Sequence, residues 1–140
     1  MRKYIKHIAV VIFLLSFLLP AYRPDREAYS GWECLKFCLG TLNGDSVRGG
    51  WRFYYFGFFI TNLLFLFTWL IPSIKERFRL KCACVSLIPL AHVISWFVIN
   101  FWDRERQGRL LVDYGYYTWL SAFVLLSASL FITKNENHGA

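Results

Sequence analysis

The longest uncharged run in the chain lies between Arg52 and Lys75, where Phe53 to Ile71 carries aromatic and aliphatic side chains almost without interruption. At about 1.5 Å of rise per residue, a helix of that length crosses the roughly 30 Å hydrocarbon core of a bilayer. Trp51, Tyr54 and Tyr55 stand at one end and Trp69 at the other, the positions that amphipathic rings take at head-group level. Gly57, Thr61 and Thr68 fall on one narrow stripe along which another helix can approach, and Asn62, near the middle, is the costly residue.

The same pattern recurs in Ile8 to Leu19, extendable to Tyr4 through Tyr22, in Cys82 to Trp102, and in Tyr114 to Thr133. These stretches predict an all-α polytopic membrane protein, a single membrane domain over residues 1–140 with four transmembrane helices at about 4–22, 53–71, 82–102 and 114–133. The polar tail, 134–140, reads as disordered. Pro89 predicts a bend about one turn earlier, near Val85 and Ser86. In the fourth span Thr118, Ser121, Ala122, Ala128 and Ser129 occupy one broad sector suited to close helix packing.

The connections carry their own signals. In the first loop, Ser30-Gly-Trp-Glu33 has the S-x-x-E spacing of a capping box. It predicts a short interfacial helix with Trp32, Leu35 and Leu39 on one face, Lys36 and Cys38 flanking it, and Glu33 and Phe37 on the far side. Asn43-Gly44-Asp45 and Gly49-Gly50 then turn the chain back. Pro72 and the basic run 75–81 read as a tight hairpin, and the alternating charges of 103–109 as a solvated turn.

Arg2, Lys3 and Lys6 before an apolar core give the N-terminus the form of an export signal, but no small-x-small cleavage site follows, so an uncleaved anchor is expected. With the N-terminus inside, inner and outer segments each carry eight Lys and Arg. The dense 72–81 connection and the dominance of the first helix break the tie, predicting both termini in the cytoplasm.

Composition agrees with lipid as the solvent: 56% of residues are hydrophobic and 20% aromatic. The net charge of +7 does not indicate nucleic acid, because the cations cluster beside the spans or alternate with acids and nowhere form the continuous basic surface that phosphates require.

Candidate chemistry is sparse. His92 and Asn62 fall at the same depth of their spans, with Ser95 one turn from His92. The trio is either interhelical glue or the lining of a hydrated path. Cys34-x-x-x-Cys38, on adjoining turns, is read as a pair of packed apolar residues, and Cys82 and Cys84 are placed at the inner end of the third span. Four-helix thiol oxidoreductases need a C-x-x-C and a second outer pair, and opposite membrane sides exclude one shared zinc site. No acidic residue occurs in the first span, as a small multidrug exporter would require, and Asp103 and Asp113 lack the surroundings of a membrane aspartyl peptidase. No cofactor site is expected.

Gly31-Trp-Glu-Cys-Leu and Gly115-Tyr-Tyr-Thr-Trp-Leu, each beside a span, resemble segments of a loose group of small bacterial inner-membrane proteins. The resemblance implies a four-helix layout and the inner (plasma) membrane of a bacterium, and it brings no activity. The expected function is non-enzymatic: binding of another membrane protein as an assembly, regulatory or immunity-type factor, or self-association. Trp32, Leu35, Leu39, Arg104, Arg106 and Arg109 form the expected contact face. The alternative is a small permeation protein with His92 along its path.

Overall fold

The computed structural model describes residues 2–24, 26–41, 50–70, 76–107 and 111–131. Five helices occur among them: α1 (Arg2–Ser16), α2 (Gly31–Gly40), α3 (Trp51–Leu70), α4 (Glu76–Gln107) and α5 (Tyr114–Phe131), with two short strands, β1 (Pro20–Tyr22) and β2 (Tyr29–Ser30), between α1 and α2. The all-α expectation holds. Two helical stretches, Trp51–Leu70 and Cys82–Trp102, are long and apolar enough to cross a membrane.

The other two expected spans are shorter or more polar than the sequence suggested. α1 stops at Ser16, not at Tyr22. The Ser16 hydroxyl donates back to the Phe13 carbonyl, and the Phe17 and Leu18 amides bond to the carbonyls three residues earlier, tightening the helix end. Pro20 then has no amide to donate and biases Leu19 away from helical geometry. α5 is described only to Phe131, and Tyr114, Tyr116, Tyr117 and Trp119 make its first half polar-aromatic.

Two predicted turns are helical instead. Residues 76–81, expected in a basic hairpin, open α4, and 103–107, expected in a solvated turn, close it. Both runs consist largely of good helix formers with no Gly or Pro to stop them. The apolar stretch Cys82–Trp102 is the middle of α4, which extends beyond it at both ends to 32 residues. The turn residues 43–45 and Gly49, the start of the expected basic hairpin from Pro72 to Lys75, and the tail 134–140 lie outside the described residues.

Side-chain contacts set the helix directions. Tyr54 meets Ser95 and Phe58 meets His92, so α3 and α4 run antiparallel. His7 meets Trp69 and Phe13 stacks on Phe65 at 4.2 Å, so α1 opposes α3. Gly115 sits against the carbonyls of Leu19 and Pro20 while Phe13 meets Phe123, so α1 opposes α5. A core of Phe13, Phe65 and Phe123 joins three helices through ring contacts of 4.2 to 6.2 Å, each pair contributing about 0.5–1.5 kcal/mol beyond burial. Ala9, Val10 and Phe13 bury one face of α1 against α5. The expected small-residue sector of α5 divides: Ala122 and Ser129 are fully buried, whereas Ser121 and Ala128 are exposed.

A cap closes one end of the packed helices. β1 pairs antiparallel with β2, with a bulge at Ala21, and on its other side Tyr22 bridges Val112. Arg23 N donates to Leu111 O at 2.7 Å and Asp113 N to Ala21 O at 3.0 Å. An ion pair of 2.9 Å between Arg23 and Asp113 spans the same joint. The other Asp113 oxygen accepts the Tyr114 amide at 2.8 Å, placing negative charge at the start of α5.

Candidate functional site

α2 lies across this cap, and the capping box read from the sequence is present. The Ser30 amide and hydroxyl donate to Glu33 Oε2 at 2.7 and 2.8 Å, and the Glu33 amide donates to Ser30 Oγ at 3.3 Å. The bond from the Ser30 amide, with its hydroxyl second, holds the Glu33 carboxyl below its usual range. Gly31 is required where it stands: a Cβ there would lie 2.5 Å from the Ser16 carbonyl oxygen.

Within the protein the Trp32–Leu35–Leu39 face divides, Leu35 lining the space beneath the helix. Cys38 is its buried residue, at 7% exposure, while Trp32 and Leu39 are 53% and 38% exposed. Lys36 lies over the Trp32 ring at 5.5 Å, and Phe37, expected on the far side, meets Tyr55 of α3 edge-on at 5.4 Å. The reason is that the helix packs sideways against α3 and β1.

Between α2 and helices α3, α4 and α5 is a cleft of about 520 Å³, within the roughly 300–1,000 Å³ usual for small-molecule sites. Its lid is Cys34, Leu35 and Cys38, its walls include Tyr55, Trp96 and Tyr116, and its foot is Phe58, Asn62 and Trp119. Glu33 and Lys36, both exposed, mark the open edge. Burial pushes the Cys34 thiol up to about 11 and the Cys38 thiol up to about 12. Both therefore stay protonated near neutrality and act as apolar wall, without nucleophilic chemistry. All four cysteines are free thiols. Among the described residues no three His, Cys, Asp or Glu side chains gather as a metal site.

Asn62 does not meet His92. Its Nδ2 donates to the Phe58 carbonyl at 2.8 Å, and its Oδ1 accepts the Trp119 indole N–H at 2.8 Å, joining α3 to α5. His92 instead fits over Gly57, where a Cβ would come within 2.9 Å of its ring, and lies 4.8 and 4.5 Å from the Tyr54 and Phe58 ring centres. Its Nε2 is buried without a hydrogen-bond partner among the described residues, and the ring does not line the cleft.

Ser95, one turn from His92, donates at 2.7 Å to the His92 carbonyl, the acceptor nearest to a serine on a helix. With its single proton committed, Ser95 Oγ accepts the Tyr54 hydroxyl at 2.7 Å, a bond between α3 and α4. Positions 104 and 106 fall in the last turns of α4, far along the chain from α2, and Arg109 lies outside the described residues.

Trp119, Tyr54 and Tyr116 were missed because an aromatic near a helix end reads as head-group belt. The signal that distinguishes them is the polar atom each carries into the interior, where it needs a partner. Tyr116 finds the Val93 carbonyl, tying α5 to α4. Compared with protein-family models, curated proteins and solved structures, the chain matches none.

Proposed function

We propose that this chain is a small integral membrane protein whose four long helices all cross a bacterial inner membrane with both termini cytoplasmic. It acts without catalysis, by binding another membrane protein. The surface supports lipid around all four. Leu14 on α1, Phe67 on α3, Ile88 on α4 and Val124 on α5 are 57%, 62%, 65% and 47% exposed, and apolar surface on this scale is costly in water. Only 17% and 22% of the two longest apolar stretches is buried inside the protein, unlike the core helices of a soluble domain. α1 is short for a span, and Phe17 to Leu19 complete its apolar length outside the helix.

The observation that carries partner binding is the way α2 is held. Its N-terminus is locked by the capping box and by Gly31 against Ser16, its underside faces the cleft, and Trp32 and Leu39 remain exposed outward. A rigid helix presenting an aromatic anchor loses little entropy on association, the arrangement found at interface hot spots.

A photo-crosslinking residue at position 32, in cells of the native host, tests this. A discrete adduct with one membrane protein, lost when Leu39→Asp is added, is expected. Adducts with lipid alone, or a clean monomer after mild detergent extraction, would refute it. Cysteine-accessibility labelling that places the two termini on opposite sides would refute the topology.

A further inference from the structure

The cleft under α2 offers more than a gap in packing, because its foot has an oriented polar group with unused capacity. A primary amide has two N–H donors. Asn62 gives one to Phe58 O, and the second has no partner among the described residues although the side chain lines the cleft. The indole of Trp119 is a donor only, so its bond to Asn62 Oδ1 fixes which side of the amide carries nitrogen.

Above this donor the walls are aromatic: Phe58, Trp119, Tyr116, Trp96 and Tyr55 converge from three helices. The lid opposite is formed by Leu35 and the uncharged thiols of Cys34 and Cys38. The charged groups of the cleft, Glu33 and Lys36, stay at its open edge. An ion deep inside would therefore meet no counter-charge, while a saturated chain would leave the Asn62 N–H unpaired in an apolar space.

We propose that this cleft binds a flat, uncharged, lipid-soluble ring compound bearing a carbonyl oxygen, stacked between the aromatic walls and accepting the free N–H of Asn62. The site uses the underside of α2 and so is independent of the outward face assigned above to a protein partner.

The probe is 6-propionyl-2-(dimethylamino)naphthalene, an uncharged naphthyl ketone whose emission moves to the red when its carbonyl accepts a hydrogen bond. Titrated into the full-length protein in detergent, with empty micelles as reference, it should show saturable 1:1 energy transfer from tryptophan. Asn62→Leu should weaken binding about tenfold, the worth of one lost hydrogen bond, and shift the bound emission to the blue. Because Asn62→Leu also releases Trp119, Leu35→Trp serves as the second variant. It fills the cleft from the lid, away from the bundle core, and should abolish saturable binding while the circular dichroism stays native.

Trp32→Asp should leave ketone binding unchanged, which separates this site from the partner face. Absence of saturable binding, or equal binding by Leu35→Trp, would overturn the site. Equal affinity and emission in Asn62→Leu, or displacement by oleic acid as effective as by unlabelled 2-acetylnaphthalene, would overturn the ring-carbonyl assignment.

Discussion

Gly57→Ala tests the joint between α3 and α4 most directly, because two opposing effects of known size meet there. In a helix interior, replacing Gly by Ala stabilises by about 0.5–1 kcal/mol through backbone entropy. Here the added Cβ would lie 2.9 Å from both Cε1 and Nε2 of His92, well inside the roughly 3.5 Å of a comfortable contact. The ring has little room to retreat, since Tyr54 and Phe58 pack around it at 4.8 and 4.5 Å. Overpacking of this kind costs about 1–3 kcal/mol, so the net effect is destabilisation by up to about 2.5 kcal/mol.

In a His92→Ala background the clash disappears, and the same substitution should stabilise by about 0.5–1 kcal/mol. The two effects of Gly57→Ala therefore differ in sign, with a coupling of about 1–3 kcal/mol. Unfolding of the four proteins by sodium dodecyl sulfate in mixed micelles, followed by circular dichroism, closes the cycle. Stabilisation of the parent by Gly57→Ala, or additivity within about 0.5 kcal/mol, would refute the packing described.

Other expectations follow from the cap and the cleft. Gly115→Ala, whose Cβ would lie 2.7 Å from the Leu19 carbonyl oxygen, should lower the same unfolding midpoint, whereas Gly40→Ala, with nothing within 4 Å, should leave it unchanged or raise it. Ser30→Ala should cost about 1 kcal/mol as a lost N-cap, read by amide exchange in α2. Glu33 is held below its usual value of 4.5 by Ser30, so the support it gives α2 is complete above that pH and fades as acid carries the carboxyl through its lower folded value. The Ser30 amide shift should show a midpoint below 4.5, and a midpoint above it would refute the capping contact. Alkylation of Cys34 and Cys38 should be slow at neutral pH and rise toward pH 11 to 12. A titration near the ordinary thiol value of about 8.5 would show both thiols open to water. Trp119→Phe should weaken the α3–α5 joint by about 0.6 kcal/mol, and no coupling with Asn62→Leu would deny that bond.

Local chemistry was legible in the chain itself. Uncharged runs place α3 and the middle of α4, and S-x-x-E at Ser30 places the start of α2, because a capping box is satisfied among neighbours in sequence. That Asn62 and His92 lie deep in apolar helices was legible too. Which residues meet was decided elsewhere. Asn62 turns to Trp119, 57 positions away, and His92 seats over Gly57. Depth along a helix says nothing of rotation about its axis, and rotation is set by packing against every neighbour at once. The end of α1 at Ser16, the strands on either side of β1 and the cleft beneath α2 have the same origin. Each depends on backbone groups of residues 16–23, 29–32 and 111–116 finding one another across the bundle end, and no window of sequence contains all three.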